Sequence, residues 1–169
     1  QQFSLSTREG LAEAIRLARR AFELDPGFGR ATSLASVFHL NNFVFGYSTD
    51  PLFELKEAVR LSRLALRIDD GDANTLARAS LISAYVVRDS ESALEMADRA
   101  VALNPNSFEA WGCRGWVCGA AGLPQEAVRS FERGIRMSPI DPAMFAGMGM
   151  AFVELRRFDE AIALGKKAL

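Results

Sequence analysis

The 169-residue chain has little of several things that common functional classes need. It contains 2 cysteines and 1 histidine, and its 20 basic and 21 acidic side chains leave a formal net charge of −1. Two cysteines do not make a disulfide scaffold in a chain of this length. A balanced charge gives no electrostatic footprint for nucleic acid or for an anionic membrane. We therefore expect neither nucleic acid nor membrane among its partners.

Long apolar runs are also missing. The longest uncharged stretch in the second half, 140–153 with one aspartate excused, is shorter than the about 20 residues of a membrane span. With 49% hydrophobic residues, the chain still has enough apolar material for a sizeable core. It begins at Gln1 without a methionine and ends at Leu169 inside a helical pattern, so we expect a piece of a longer protein.

No pattern in the sequence is typical of catalysis or of cofactor binding. There is no Ser-His-Asp arrangement beyond accident and no glycine-rich phosphate loop. No cysteine or carboxylate cluster with metal-ligand spacing surrounds His39, which we interpret as a packing or surface residue. Cys113 and Cys118 fall roughly on opposite sides of one predicted helix and cannot bond to each other. We expect a non-catalytic protein without cofactor or metal, in the reducing cytoplasm.

What the chain does contain is an internal repeat of about 34 residues. Ala93, Ala127 and Ala161 stand 34 residues apart, and two earlier copies have Ala58 and Ala14 in the same place. In each copy an aliphatic residue follows the alanine, and a small residue with an apolar neighbour comes seven positions later. Positions seven apart lie on one face of a helix, so small residues there let another helix approach closely. Each copy therefore predicts one helix.

Capping residues and prolines predict where the helices begin and end. Asp50, Asp72 and Asp141 are suited to cap helices, and Ser6 with Glu9 matches a capping box. Prolines at 26, 105 and 139 end three of the repeated helices. Together these signals predict nine helices and no sheet, at 6–24, 28–46, 51–68, 73–88, 90–103, 107–121, 124–137, 142–155 and 158–169.

Helix pairs at this period resemble the tetratricopeptide repeat family. The third full repeat carries the family pattern best, with Trp111, Gly115, Ala127, Phe131 and Pro139. The resemblance implies an all-α, right-handed superhelix, an α-solenoid of helix-turn-helix repeats. We expect a half repeat at 1–27, an enlarged repeat at 28–72, full repeats at 73–107 and 108–141, and a truncated last repeat at 142–169.

A narrower resemblance concerns the phrases at 100–106 and 136–142 that follow a long first repeat. They are similar to the carboxyl-terminal repeat regions of bacterial signalling proteins that carry a class III nucleotide cyclase or a winged-helix transcription regulator. This likeness implies a regulatory domain that controls such an attached domain through self-association.

In the family, the first helix of each repeat lines a concave groove for a protein or peptide partner. Carried over to this chain, the groove residues are Arg78, Ile82, Tyr85, Glu109, Trp116, Met150 and Val153. The alternative is that Trp116 and Met150 pack on a neighbouring helix or on another part of the chain. The basic clamp with which some relatives hold the tails of chaperones is absent, because Ala79, Glu109 and Cys113 stand at its positions.

Two further features admit more than one interpretation. The enlarged repeat has ten extra residues near 41–50, with Phe43, Phe45 and Tyr47. We favour two longer helices that bury these rings against each other over a projecting apolar lip. Arg114 is the one charged residue from Ala110 to Leu123 of a predicted helix, and we favour an internal ion pair over an anion site.

Overall fold

The computed structural model describes residues 7–166, and this part of the chain is all-α, with nine α-helices and no strand. The predicted helices are all present. Their bounds agree with the prediction to within two residues in the described range, once the continuation of the fourth helix given below is counted. The helices are α1 (Arg8–Leu24), α2 (Gly29–Val44), α3 (Pro51–Ile68), α4 (Ala73–Ile82), α5 (Ser90–Leu103), α6 (Phe108–Ala120), α7 (Pro124–Met137), α8 (Pro142–Glu154) and α9 (Phe158–Gly165).

The three predicted aspartate caps are confirmed. Asp50 Oδ1 accepts a hydrogen bond from the Phe53 amide at 3.0 Å, and Asp72 Oδ2 accepts one from the Thr75 amide at 2.8 Å. Asp141 caps α8 in the same way. At α1 the cap is Thr7, whose Oγ1 accepts from the amide of Gly10 at 3.1 Å. The helix thus begins two residues later than predicted, and Ser6 lies outside the described residues.

The helices form four pairs that follow the half repeat α1. The pairs are α2 with α3, α4 with α5, α6 with α7 and α8 with α9. Each turn inside a pair contains one residue in the left-handed conformation: Gly46 (φ 67°), Arg88 (φ 67°), Gly122 (φ 73°) or Arg156 (φ 59°). Glycine adopts this conformation without strain, whereas an arginine there forces its Cβ against the backbone. Two of the four turns are therefore strained.

The sequence did not predict how α4 ends. Residues Ser83–Val87 continue it as a π-helical turn, which closes with a hydrogen bond from the Asp89 amide to the Ser83 carbonyl at 3.1 Å. The Ser83 hydroxyl also donates a hydrogen bond to the carbonyl oxygen of Asp89, at 3.3 Å. Tyr85 lies within this wider turn.

Small residues bring the helices of a pair together, as the repeat predicts. Ala58, Ala93 and Ala127, which stand at the same repeat position in α3, α5 and α7, are at most 1% exposed. The Ala65 and Ala100 side chains, seven residues beyond the first two, are fully buried as well.

The pairs stack so that their first helices form a continuous row. Helix α2 contacts α4, α4 contacts α6, and α6 contacts α8, while within residues 7–166 no close backbone contact joins two second helices. This arrangement places the first helices on the inner face of the right-handed superhelix, which confirms the predicted fold class. No helix in the described range is both long enough and apolar enough to cross a membrane.

The ring of Phe131 fills the space between the last two pairs. It is 1% exposed and lies between Gly115 of α6 and Gly147 of α8. A Cβ atom at Gly115 would lie 2.7 Å from Phe131 Cε1, and one at Gly147 would overlap the same ring from α8. The two glycines are thus required by close approach to an aromatic ring.

Relief of the strained turns should stabilise the protein. We expect Arg88→Gly to raise the free energy of unfolding by about 1 kcal/mol, because glycine accepts the left-handed conformation. Urea denaturation followed by circular dichroism measures the change. Arg63→Gly, at an exposed site inside α3, is the matched control and should lower stability by about 1 kcal/mol. An equal loss in both variants would contradict the strain at Arg88.

The packing of Phe131 gives a second prediction. We expect Gly147→Ala to lower the free energy of unfolding by about 1–3 kcal/mol, because the new methyl group overlaps the ring. Gly119→Ala is the control, since a Cβ there meets nothing within 4 Å and alanine has the higher helix propensity. Denaturation midpoints of the two variants should therefore move in opposite directions, and a neutral Gly147→Ala would refute the tight contact.

Candidate functional site

The predicted groove lies along the inner row of α2, α4, α6 and α8. Two of its predicted contact residues, Arg78 and Glu109, bind each other. Arg78 Nε and Nη2 donate to the two carboxylate oxygens of Glu109 at 2.6 and 2.9 Å. Arg78 Nη1 donates to Ser33 Oγ at 2.9 Å and to the Arg30 carbonyl at 3.3 Å. With Arg78 only 6% exposed, this network joins α2, α4 and α6 and leaves the guanidinium no free donor face for a partner.

Ile82 also lies away from the groove surface. Its side chain is 2% exposed and packs in the core with Leu40 and Ala58. Neither Arg78 nor Ile82 presents its side chain to an incoming peptide, contrary to what the family positions imply. Leu40 of α2 and Ala58 of α3, which pack against Ile82, come from the preceding helix pair.

Tyr85, Trp116 and Met150 do come together. They line a cavity of about 190 Å³ whose wall also includes Phe131 and Glu154. The hydroxyl group of Tyr85 donates to the carbonyl of Trp116 at 3.1 Å. Burial and, to a lesser extent, the nearby Glu154 carboxylate raise the pKa of Tyr85, so its hydroxyl stays protonated and remains a donor.

The alternative interpretation was that Trp116 and Met150 pack on a neighbouring helix. It applies in part to Trp116. The indole of Trp116 packs edge-on against the Phe131 ring, with centroids 5.6 Å apart, and is half-buried. The side chain of Met150 is 57% exposed. Trp116 is therefore both a packing residue and a wall of the cavity, while Met150 is open to solvent.

A second and larger open cavity, of about 560 Å³, lies between α8 and α9. Met150 and Glu154 border both cavities, and Val153 lines the second. Sequence reasoning missed the contribution of Gly149 and Gly165 to this wall. The 34-residue register could have pointed to Gly165, because this glycine stands where the preceding repeat has the large side chain of Phe131.

The interpretation that we favoured for the aromatic residues of the enlarged repeat, two longer helices that bury the rings against each other, is wrong in its second part. Helices α2 and α3 are indeed long, but the rings do not bury against each other. Phe43, Phe45 and Phe53 remain 40%, 47% and 45% exposed. Phe45 contacts Tyr47 with centroids 5.7 Å apart.

His39 is a buried polar residue of this same pair. Its Nδ1 lies 2.5 Å from Glu54 Oε2, and the Asn42 amide donates to Glu54 Oε1 at 2.8 Å. Both His39 and Glu54 are nearly inaccessible to solvent. The packing role expected for His39 is thus met through a hydrogen bond that ties α2 to α3.

The internal ion pair predicted for Arg114 is confirmed. Arg114 Nε donates to Asp98 Oδ1 at 2.7 Å, and Nη1 donates to Ser130 Oγ at 2.7 Å. Glu126 lies 3.7 Å from the same guanidinium. The contacts connect α6 to α5 and α7.

Nucleophilic or metal chemistry has no support in the described part of the chain. Cys113 and Cys118 are free and buried, and burial raises the pKa of both thiols, which keeps them in the unreactive protonated form. Residues 7–166 contain no group of histidine, cysteine and carboxylate side chains arranged to hold a metal ion.

Comparison with known proteins agrees with this geometry. Residues 114–169 match the family model of the tetratricopeptide repeat. No curated protein sequence gives a significant match. The thermophilic repeat protein TTC0263 of Thermus thermophilus has a TM-score of 0.71 at 19% identity, over 95% of this chain and 82% of that one.

Two further structures have the same fold. MamA of Desulfovibrio magneticus RS-1 gives a TM-score of 0.60 at 14% identity, over 95% of this chain and 85% of that one. YrrB gives 0.57 at 22% identity, over 95% and 77%. The chain therefore has the tetratricopeptide-repeat fold, and the resemblance to that family inferred from its sequence is confirmed.

We expect the ion pair between Arg78 and Glu109 to stabilise the fold. We expect Glu109→Ala to lower the free energy of unfolding by about 3 kcal/mol, because it leaves a buried guanidinium without its carboxylate. The double variant Arg78→Met/Glu109→Ala removes both charges and should recover most of that loss. Urea denaturation measures each step. A loss below about 1 kcal/mol for the single variant would make this an ordinary surface pair.

Proposed function

We propose that the chain is a non-catalytic protein-interaction module that binds a peptide or protein segment on the inner face of its helical stack. The single observation that carries the proposal is the open apolar cavity between Tyr85, Trp116 and Met150. Binding sites for ligands and peptide side chains are typically concave and lined mainly by apolar and aromatic residues. Tryptophan and tyrosine are also the residues most enriched at the energetic centres of interfaces.

The contact surface of this proposal is smaller than the family positions imply. It consists of Tyr85, Trp116, Met150 and Val153, while Glu109 is held by Arg78. The fold supports the same use, since YrrB is described as a tetratricopeptide-repeat protein with an unusual peptide-binding site. The two cavities meet at Met150 and Glu154, so an extended segment has room to occupy both.

We further propose that the module works in the cytoplasm as part of a larger bacterial signalling protein. Two free, buried cysteines agree with a reducing compartment. The alternative, a self-association domain that regulates an attached nucleotide cyclase or transcription regulator, is favoured by one observation. The rings of Phe43, Phe45 and Phe53 form an exposed apolar tip on the first pair. Light scattering that finds a monomer at all concentrations would count against this alternative.

A substitution in the cavity wall tests the groove. Peptides of about twelve residues, selected from a display library against the chain, serve as the probe. We expect Trp116→Ala to weaken a groove-binding peptide at least about tenfold, as for an interface hot spot. Met150→Ala, at an exposed position, checks the result without loss of core packing. Fluorescence anisotropy measures the dissociation constants.

Trp111→Ala is the matched control, because the Trp111 indole donates to the Pro105 carbonyl outside both cavities. The control should bind the peptide as the parent chain does. Unchanged affinity in both Trp116→Ala and Met150→Ala would refute binding at this groove.

A further inference from the structure

Two neighbouring second helices, α3 and α5, carry exposed rows of opposite charge on the outer face of the stack. The basic stripe of α3 consists of Lys56, Arg60 and Arg63, with Arg67 one turn further on. The acidic stripe of α5 consists of Glu91, Glu95 and Asp98. Residues at alternating intervals of four and three lie along one face of a helix, so each stripe is a continuous row of charge.

The two stripes occupy the same positions of the repeat. Ala58 of α3 and Ala93 of α5 are equivalent, and each stripe begins two residues before its alanine. The equivalent pairs are Lys56 with Glu91, Arg60 with Glu95, and Arg63 with Asp98. In α7 the same positions carry a mixture, Gln125, Arg129 and Glu132. The opposed rows are therefore a feature of α3 and α5 and not of the repeat as such.

Most of this charge has no partner inside the molecule. Within the described range 7–166, no ion pair involves Lys56, Arg63, Glu91 or Glu95. The charges that are paired use other neighbours: Arg60 binds Glu57, Asp98 binds Arg114, and Arg99, beside the acidic stripe, lies 3.8 Å from Asp70. The Asp98 side chain is still 58% exposed. Both stripes thus face solvent largely uncompensated.

This face is complementary to a second copy of itself. The helices of each pair are antiparallel, so the second helices of a stack run in the same direction. A two-fold axis parallel to α3 and α5 and midway between them places α3 of one copy opposite α5 of the other, and the reverse. Because the spacing of the two stripes is equal, every basic position then meets the equivalent acidic position of the second copy.

A second copy matches the face better than an unrelated partner. An acidic partner would compensate α3 alone and would be repelled by the acidic stripe beside it. A two-fold contact compensates both rows at once. The outer face of a superhelix is convex, which limits such a contact to the helices nearest the axis, and these are the two that carry the stripes.

We propose that the chain forms a reversible homodimer through the outer faces of α3 and α5, with the basic stripe of each copy against the acidic stripe of the other. Exposed ion pairs contribute little affinity, so the dimer is weak, and the charges mainly determine its orientation. The interface lies in the middle of the stack, on the side opposite the groove. It also differs from the apolar tip of the first pair, since charged side chains and not rings make the contact.

The salt dependence of association is the first measurement. Sedimentation equilibrium at about 1 to 500 µM protein gives the dissociation constant of the dimer. We expect a monomer–dimer equilibrium at about 0.1 M salt. At about 1 M salt, where the Debye length falls from about 10 to about 3 Å, the dissociation constant should rise at least about tenfold. Association through the apolar tip would not weaken in this way.

Exchange of charge between the stripes identifies the interface. Lys56→Glu/Arg60→Glu makes both stripes mainly acidic, and Glu91→Lys/Glu95→Lys makes both mainly basic. Each double variant should raise the dissociation constant at least about tenfold, because like charges then meet. An equimolar mixture of the two should dimerise again. So should the chain that combines all four substitutions, which has exchanged stripes and the net charge of the parent.

A matched control separates position from net charge. Arg129→Glu/Arg136→Glu, on α7, alters the net charge as much as Lys56→Glu/Arg60→Glu does and should leave the dimer intact. Circular dichroism verifies that every variant is helical.

Any of three results overturns the proposal: a parent chain that is monomeric at every concentration in low salt, a double variant that dimerises as the parent does, or a combined variant that stays monomeric. A dimer that is lost in Phe45→Ser/Phe53→Ser and kept in the charge variants would assign association to the apolar tip and overturn it as well. The groove is tested separately. Trp116→Ala should leave the dimer intact, and the charge variants should bind groove-selected peptides as the parent does.

Discussion

Close contact between helix backbones, made possible by small side chains, is the constraint on which the whole stack depends. Ala58, Ala93 and Ala127 are buried almost completely, and each lets the two helices of its pair approach closely. Between the last two pairs, Gly115 and Gly147 extend this principle, because they leave room for the ring of Phe131. Larger residues at these positions would separate the first helices and open the inner row that they form.

A second consequence of close packing is that charges caught inside the stack need partners. Arg78 binds Glu109, and Arg114 binds Asp98, while His39 and Glu54 meet within one pair. Among the described residues no buried side-chain nitrogen or oxygen lacks a hydrogen-bond partner. Such pairs contribute little net stability relative to apolar packing, but the loss of one partner is costly. They therefore hold the repeats in register and are not free to recognise a ligand.

The fate of the predicted groove residues shows where reasoning from sequence stops. Tyr85, Trp116 and Met150 line one cavity, and their role in binding stays a prediction that rests on the repeat register. The Arg78 guanidinium is already bound by Glu109 and Ser33. The sequence pattern did not reveal this, because these partners are 31 and 45 positions away. Ile82 is covered by Leu40 of α2 and Ala58 of α3, which are far from it in sequence. The π-helical turn at Ser83–Val87 likewise has no local sequence signal that we could use.

The sequence by itself determined the helices, their caps and their period, because these depend on residues within a few positions of each other. It also determined the family resemblance, since small residues recur at a constant spacing. Only the tertiary structure decided which apolar side chains stay exposed, such as the rings at the tip of the first pair, and where cavities remain. The physical reason is that exposure depends on neighbours from other repeats. The sequence register shows that Gly165 stands where the preceding repeat has Phe131, but only the structure shows the open cavity beside it.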